Sequence, residues 1–87
     1  MKDKYGDRRR LEHISEALES IFKSFENLNE KEFLTNREKR NSIVYEFIIV
    51  GEACNNISEE TKQKYTSIAW HFAYRMRNKL VHEYPNI

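Results

Sequence analysis

Long stretches in which apolar side chains return every three or four residues, with little to interrupt them, decide what this chain can become. Only two glycines and one proline occur in 87 residues, which leaves little for hairpins and much for helices. A first helix is predicted over Arg8–Asn27, with Asp7 as its N-cap. Leu11, Ile14, Leu18, Ile21, Phe22 and Phe25 share one arc of its wheel, opposite Glu12, Glu16, Glu19 and Lys23. A connection with a short turn around Glu32-Phe33-Leu34 leads to a second helix, Arg37–Ile57. Its main stripe is Ile43, Phe47, Val50, Cys54 and Ile57, while Tyr45 and Ile49 fall on the other side. A helix apolar nearly all round is packed on two sides, and in so short a chain one side could be a subunit interface. Gly51 in its middle costs about 1 kcal/mol relative to alanine, so a close helix approach and chance are both open readings. Ser58 is an N-cap for a short third helix, Glu59–Tyr65. Thr66 or Ser67 opens the last helix, about Ile68–Tyr84, which Pro85 ends. The class is all-α: an antiparallel helical bundle of four main helices in one domain, residues 1–87.

A domain of this size buries only ~60% of its unfolded surface, so it needs a further source of stability. Cys54 is the single cysteine, so no intrachain disulfide forms, and a free thiol fits a reducing compartment. His13, Cys54, His71 and His82 show no zinc spacing. Oligomerisation remains as the expected source of extra burial. Met1–Arg10 is charged throughout and is no signal peptide, and the run Phe47-Ile48-Ile49-Val50 is too short to span a bilayer. The expected location is the cytoplasm, away from membranes. The net charge of +1 does not point to nucleic acid. Three basic clusters stand out (Arg8–Arg10; Arg37, Lys39 and Arg40; Arg75, Arg77 and Lys79), each most simply a solvated helix face.

The last helix carries the chemistry. Ala69, Phe72, Ala73, Met76 and Leu80 cluster in one arc, flanked by Trp70, Val81 and Tyr84; His71, Arg75, Asn78, Lys79 and His82 lie opposite. Arg77 breaks the pattern by pointing into the apolar side. A guanidinium there needs an anion or strong acceptors. A structural role, as an ion pair for instance with Glu52 or by snorkelling to the surface, and a preorganised phosphate clamp fit equally well. Asn78, one turn before His82, is placed to fix its imidazole tautomer, although a histidine on a polar face is ordinarily just solvated. Arg77 and His82 are separated by ~7.5 Å of rise and about 140° of rotation on an ideal helix. They meet at one phosphate only if the helix unwinds near its end or two subunits combine.

The segment Met76-Arg77-Asn78-Lys79-Leu80-Val81-His82-Glu83-Tyr84 resembles the Arg-Asn-x-x-x-His-x-Tyr signature of HEPN proteins of the HepT type. Asp7-Arg8-Arg9-Arg10-Leu11-Glu12-His13-Ile14, Ile48-Ile49-Val50-Gly51-Glu52-Ala53 and Ile68-Ala69-Trp70 resemble the family's opening helix, mid-chain motif and Ile-x-Trp in the same order. The resemblance implies a bundle that dimerises with its motif helices facing a shared cleft, and a metal-independent endoribonuclease without cofactor. His82 would be the general base for a ribose 2′-OH and Arg77 the group that stabilises phosphoryl charge. Asn78 would orient the site, and Tyr84 maps onto the tyrosine that an antitoxin nucleotidyltransferase modifies with AMP. The partners implied are a second copy, a minimal nucleotidyltransferase antitoxin and RNA. The resemblance also implies a further helix after the signature, which this sequence does not contain, so apolar surface is expected to need another cover. Two other functions compete: a non-enzymatic module that docks a nucleotidyltransferase or presents a nucleotide to it, and a plain interaction domain or small DNA-binding helical protein. The last lacks a recognition-helix signature.

Overall fold

The computed structural model describes residues 4–84, with side chains from residue 6 onward. Five helices follow one another: α1 (Lys4–Phe25), α2 (Glu30–Thr35), α3 (Arg37–Asn56), α4 (Glu59–Lys64) and α5 (Trp70–Glu83). All regular structure among the described residues is helical. Three helices are long and two are short, so the arrangement differs from four main helices. The turn expected at Glu32-Phe33-Leu34 is itself a helix. Asn29 caps it by accepting from the Glu32 N–H at 2.7 Å. Asn36 likewise caps α3, accepting from the Lys39 N–H at 3.0 Å. The break between α2 and α3 is therefore a single residue with a side chain that starts the next helix.

Helix α3 is the centre of the molecule. α1 packs along one side of it, α5 along the other, and α2 rests on it. This accounts for much of the two-sided apolar pattern within one chain, although Tyr45 on the second side stays 61% exposed. α3 runs antiparallel to both long partners: Asp7 near the start of α1 meets Ser58 beyond the end of α3, and Tyr84 after α5 meets Arg40 at the start of α3. The core joins Ala17 and Ile21 of α1, Val50 and Cys54 of α3, Ile57 and Trp70, with Ile14, Phe47, Ile49 and Ala73 packed against it. Trp70, expected on a flank, is instead a buried anchor whose indole N–H donates to the Tyr65 carbonyl at 3.1 Å.

The described residues span 42 × 26 × 20 Å. The thin dimension is about two helix diameters, so a helix at the edge of this slab is covered on one side only. The α1 stripe shows the consequence. Ile21 is buried and Ile14 half-buried, but Leu11, Leu18, Phe22 and Phe25 are exposed, Phe22 at 68%. On α5, Phe72 is 67% exposed. No described helix is long and apolar enough to cross a membrane.

Two caps differ from expectation. α1 begins before Asp7, so Asp7 lies within its first turn and serves α4 instead. Its buried carboxylate accepts from the Ser58 N–H at 2.9 Å, the Ser58 hydroxyl at 2.5 Å and the Thr61 hydroxyl at 2.6 Å. Burial works against its charged form, yet the hydrogen bonds from Ser58 and Thr61, with Arg10 nearby, outweigh it and hold the carboxyl below its usual range. Ser58 caps α4 as expected. Neither Thr66 nor Ser67 opens the last helix; it starts at Trp70, behind Ala69, with no side-chain cap. The stop assigned to Pro85 lies outside the described residues.

Candidate functional site

The site begins with Gly51. A Cβ at this position of α3 would lie 2.6 Å from the Ala73 carbonyl oxygen, 3.2 Å from Arg77 Cγ and nearer still to Arg77 Cβ. The glycine is therefore there because α5 presses its backbone and the stem of Arg77 into the space a side chain would fill. Of the two readings open from sequence, close approach is the one observed.

That notch fixes where the Arg77 guanidinium goes. Its Nε sits 2.8 Å from Glu52 Oε2. The pair is ionic without being a hydrogen bond, because the buried Nε–H finds no aligned acceptor. Nη1 donates to Asn78 Oδ1 at 2.6 Å, and the guanidinium carbon lies 6.0 Å from the centre of the Tyr74 ring. The side chain of Arg77 is 27% exposed and that of Glu52 48%. A cation in this position is held from three directions by Glu52, Asn78 and Tyr74, yet remains at the surface.

Asn78 was placed in sequence to orient His82. In the structure its side-chain oxygen is committed to Arg77. His82, in the last turn of α5, is exposed to solvent. Arg77 faces α3 while His82 faces outward, as the helix arithmetic requires, so a single chain does not turn both toward one point. The ion pair between Arg77 and Glu52, one of the two open readings, is present.

Tyr84, at the end of α5, is half-buried and engaged. Its hydroxyl accepts from Arg40 Nε at 3.2 Å and donates to Asn41 Oδ1. Arg40 also donates through Nη1 to the carbonyls of Phe33 at 3.2 Å and Leu34 at 2.7 Å. From sequence, Arg40 was one member of a basic cluster and Asn41 was unmarked. They are more than forty positions from Tyr84, so no local pattern could pair them. The first basic cluster is a solvated face only in part: Arg8, with its side chain 84% exposed, pairs with Glu12 one turn on, and Arg9 is exposed, but Arg10 is half-buried beside Asp7.

The match to known proteins now has a structural frame. The family model described as "Ribonuclease HepT-like" matches residues 14–87. The chain is 34% identical over 74 residues to a protein of Thermococcus cleftensis named "Probable ribonuclease HepT", an alignment covering 85% of this chain and 67% of that one. It is 30% identical over 74 residues to a protein of Caldanaerobacter subterraneus subsp. tengcongensis named provisionally as an RNase, covering 85% of this chain and 66% of the relative. A Methanocaldococcus jannaschii protein, named as a gamma-glutamylcyclotransferase and provisionally as an RNase, is 31% identical over 74 residues, 85% of this chain and 33% of its own length. The chain thus spans about two thirds of the first two relatives and a third of the last. No solved structure matches it. The chain belongs to the HepT-like ribonuclease family.

Proposed function

We propose that this chain is a metal-independent endoribonuclease toxin of a HEPN/minimal-nucleotidyltransferase toxin–antitoxin pair, cleaving RNA at a cleft between two copies. His82 removes the proton of a ribose 2′-OH; the oxygen attacks the adjacent phosphorus, the 5′-oxygen leaves, and a 2′,3′-cyclic phosphate results. Arg77 stabilises the charge that grows on the phosphoryl oxygens. Asn78 holds one edge of that guanidinium. Tyr84 is the site at which the partner attaches a nucleotide. The domain functions as one helical unit, and a second copy covers apolar surface that one chain leaves exposed. Family membership supports the reaction class.

The observation that carries the reading is the preparation of Arg77. Its stem is seated at Gly51, its Nε is set against Glu52 and its Nη1 is taken by Asn78. A guanidinium restrained before substrate arrives loses little freedom when a phosphate binds. His82 is exposed and faces away from that seat. A second copy supplies the missing proximity, and the exposed Leu18, Phe22, Phe72 and Val81 are surfaces for it to cover. RNA offered in excess EDTA tests the mechanism: cleavage is expected to persist, DNA of the same sequence to survive, and His82→Ala to abolish the cut. Full dependence on a divalent metal, or undiminished cleavage by His82→Ala, removes it.

The Arg77–Glu52 pair favours a second reading, because a cation already facing a carboxylate is also suited to a quiet structural role. There the dimer is a non-enzymatic module that binds a nucleotide or docks a nucleotidyltransferase. Tight binding of that partner by calorimetry, with no RNA cleavage at any concentration, selects this reading.

A further inference from the structure

We propose that Arg40, together with Asn41, is a latch that positions the Tyr84 hydroxyl, and that the same guanidinium holds a phosphodiester formed on that hydroxyl. The second half rests on the reading of Tyr84 as a nucleotide acceptor.

A phenol oxygen can give one hydrogen bond and receive two. Tyr84 gives its proton to Asn41 Oδ1 and receives one from Arg40 Nε. Both the direction of the O–H and one lone pair are thereby fixed, which sets the ring at the end of α5, where a helix otherwise frays. The arginine is itself anchored. Its Nη1 bridges the Phe33 and Leu34 carbonyls near the end of α2, groups that a helix end leaves without intrahelical donors. One planar fork therefore joins α2, the first turn of α3 and the residue that follows α5. A lysine offers no such fork.

Nucleotide transfer would change this network in a defined way. The Tyr84 oxygen attacks the α-phosphorus of a nucleoside triphosphate held by the partner enzyme. The Oη–P bond forms, the bond from α-phosphorus to the bridging oxygen breaks, pyrophosphate leaves and the phenolic proton passes to the partner's base or to water. Oη then has no hydrogen, so the bond to Asn41 is lost. A negative phosphodiester now lies beside Arg40, whose Nη2 carries two further donors beyond the contacts described. Neutral hydroxyl is replaced by a charged acceptor, and the arginine contact strengthens while the asparagine contact disappears. The modification is retained on the α3–α5 surface instead of swinging free, two residues from His82.

The full-length chain, its Arg40→Gln and Asn41→Ala variants and two readouts test this. The first is the rate at which N-acetylimidazole acetylates each tyrosine, measured by peptide mass mapping, with Tyr45, 61% exposed, as the internal standard. Tyr84 is expected to react several-fold more slowly than Tyr45 in the parent chain and at least threefold faster in both variants, with Tyr45 unchanged. Asn41→Ala touches only the hydroxyl, so it decides the matter if Arg40→Gln loosens the α2 end. An unchanged Tyr84 rate in the variants overturns the latch. The second readout is the phosphorus NMR resonance of Tyr84 after incubation with the paired nucleotidyltransferase and ATP. It is expected to move in Arg40→Gln, which removes the charged donor, and to stay near the parent position in Asn41→Ala. A merely structural role would leave it in place in both, and that result overturns the phosphodiester contact. If Tyr84 takes no nucleotide even in the parent chain, the modification reading and the second half fall together, while the acetylation rates still decide the first half.

Discussion

Replacing Gly51 by alanine sets two opposing terms against each other, and the structure decides which wins. In mid-helix the change from glycine to alanine is worth about 1 kcal/mol in favour of the folded state. The new Cβ, however, would stand 2.6 Å from the Ala73 carbonyl oxygen, 3.2 Å from Arg77 Cγ and closer still to Arg77 Cβ. Ordinary carbon contacts begin near ~3.5 Å, so α3 and α5 must separate by roughly 1 Å. Neither the carbonyl nor a Cβ can rotate out of the way. Overpacking of this kind costs about 1–3 kcal/mol, and rigid neighbours put this case at the upper end, for a net loss of about 1–2 kcal/mol. For a domain this size that lowers Tm by roughly 5–15 °C. Thermal unfolding followed by circular dichroism reads it. Ser42→Ala, at an exposed position of the same helix, is the control and should not lower Tm. RNA cleavage should fall more than stability does, because Arg77 shifts with α5, and about 1 Å of misplacement can cost on the order of 10²-fold. A Gly51→Ala chain with unchanged or raised Tm would show that the helices have room, and the account of how Arg77 is seated would be wrong.

Three further outcomes follow from particular contacts. Glu52→Gln removes a carboxylate 2.8 Å from the Arg77 guanidinium; RNA should bind several-fold more tightly while turnover drops about tenfold, and stability should change by only about 0.5 kcal/mol because the pair is partly exposed. A KM that rises while kcat and Tm fall would mark the pair as structural alone. Asp7 is held below its usual carboxyl range by Ser58 and Thr61, so its contribution is present above the unfolded-state value near ~3.9 and is lost as pH falls through the lower folded-state value; acid unfolding monitored by Trp70 fluorescence should be blunted in Asp7→Asn, which also loses about 1–3 kcal/mol at neutral pH. Cys54 is buried and burial pushes its thiol up, with Lys62 only partly opposing that; Ellman's reagent should leave it unmodified in the native protein and modify it stoichiometrically in denaturant.

The helices were legible wherever one face of an element meets one neighbour. Of the stripe Ile43, Phe47, Val50, Cys54 and Ile57, Phe47 is half-buried and the other four are buried, Ile57 just past the end of α3. Ser58 was legible because capping is local: the side chain, the backbone it serves and the polar run that follows are all within four residues. Asp7 has the same chemistry, but its partners lie fifty-one and fifty-four positions away, so its role as the clasp between α1 and α4 could not be read from its neighbours. α1 shows the other limit. Its apolar arc predicts burial for six residues, yet a slab two helices thick covers only the inner part of that arc. Periodicity says which side of a helix is apolar; it does not say how many neighbours share it.

The arginine of the proposed site was visible for the same reason that its setting was not. Arg77 stood out because a charge interrupted an apolar arc, and an interruption of that kind demands a partner. The partner, Glu52, is next to the residue whose missing side chain lets α5 approach, so the notch at Gly51 and the ion pair are two results of one close contact. His82 demanded nothing from its own chain and receives nothing that would turn it toward Arg77. Five residues of α-helix separate the two by about 140° of rotation, and ordinary bending of a helix does not remove such an angle. If both groups act on one phosphate, the cheaper arrangement keeps α5 regular and brings the second group from another copy, across the apolar surface that a single chain leaves uncovered.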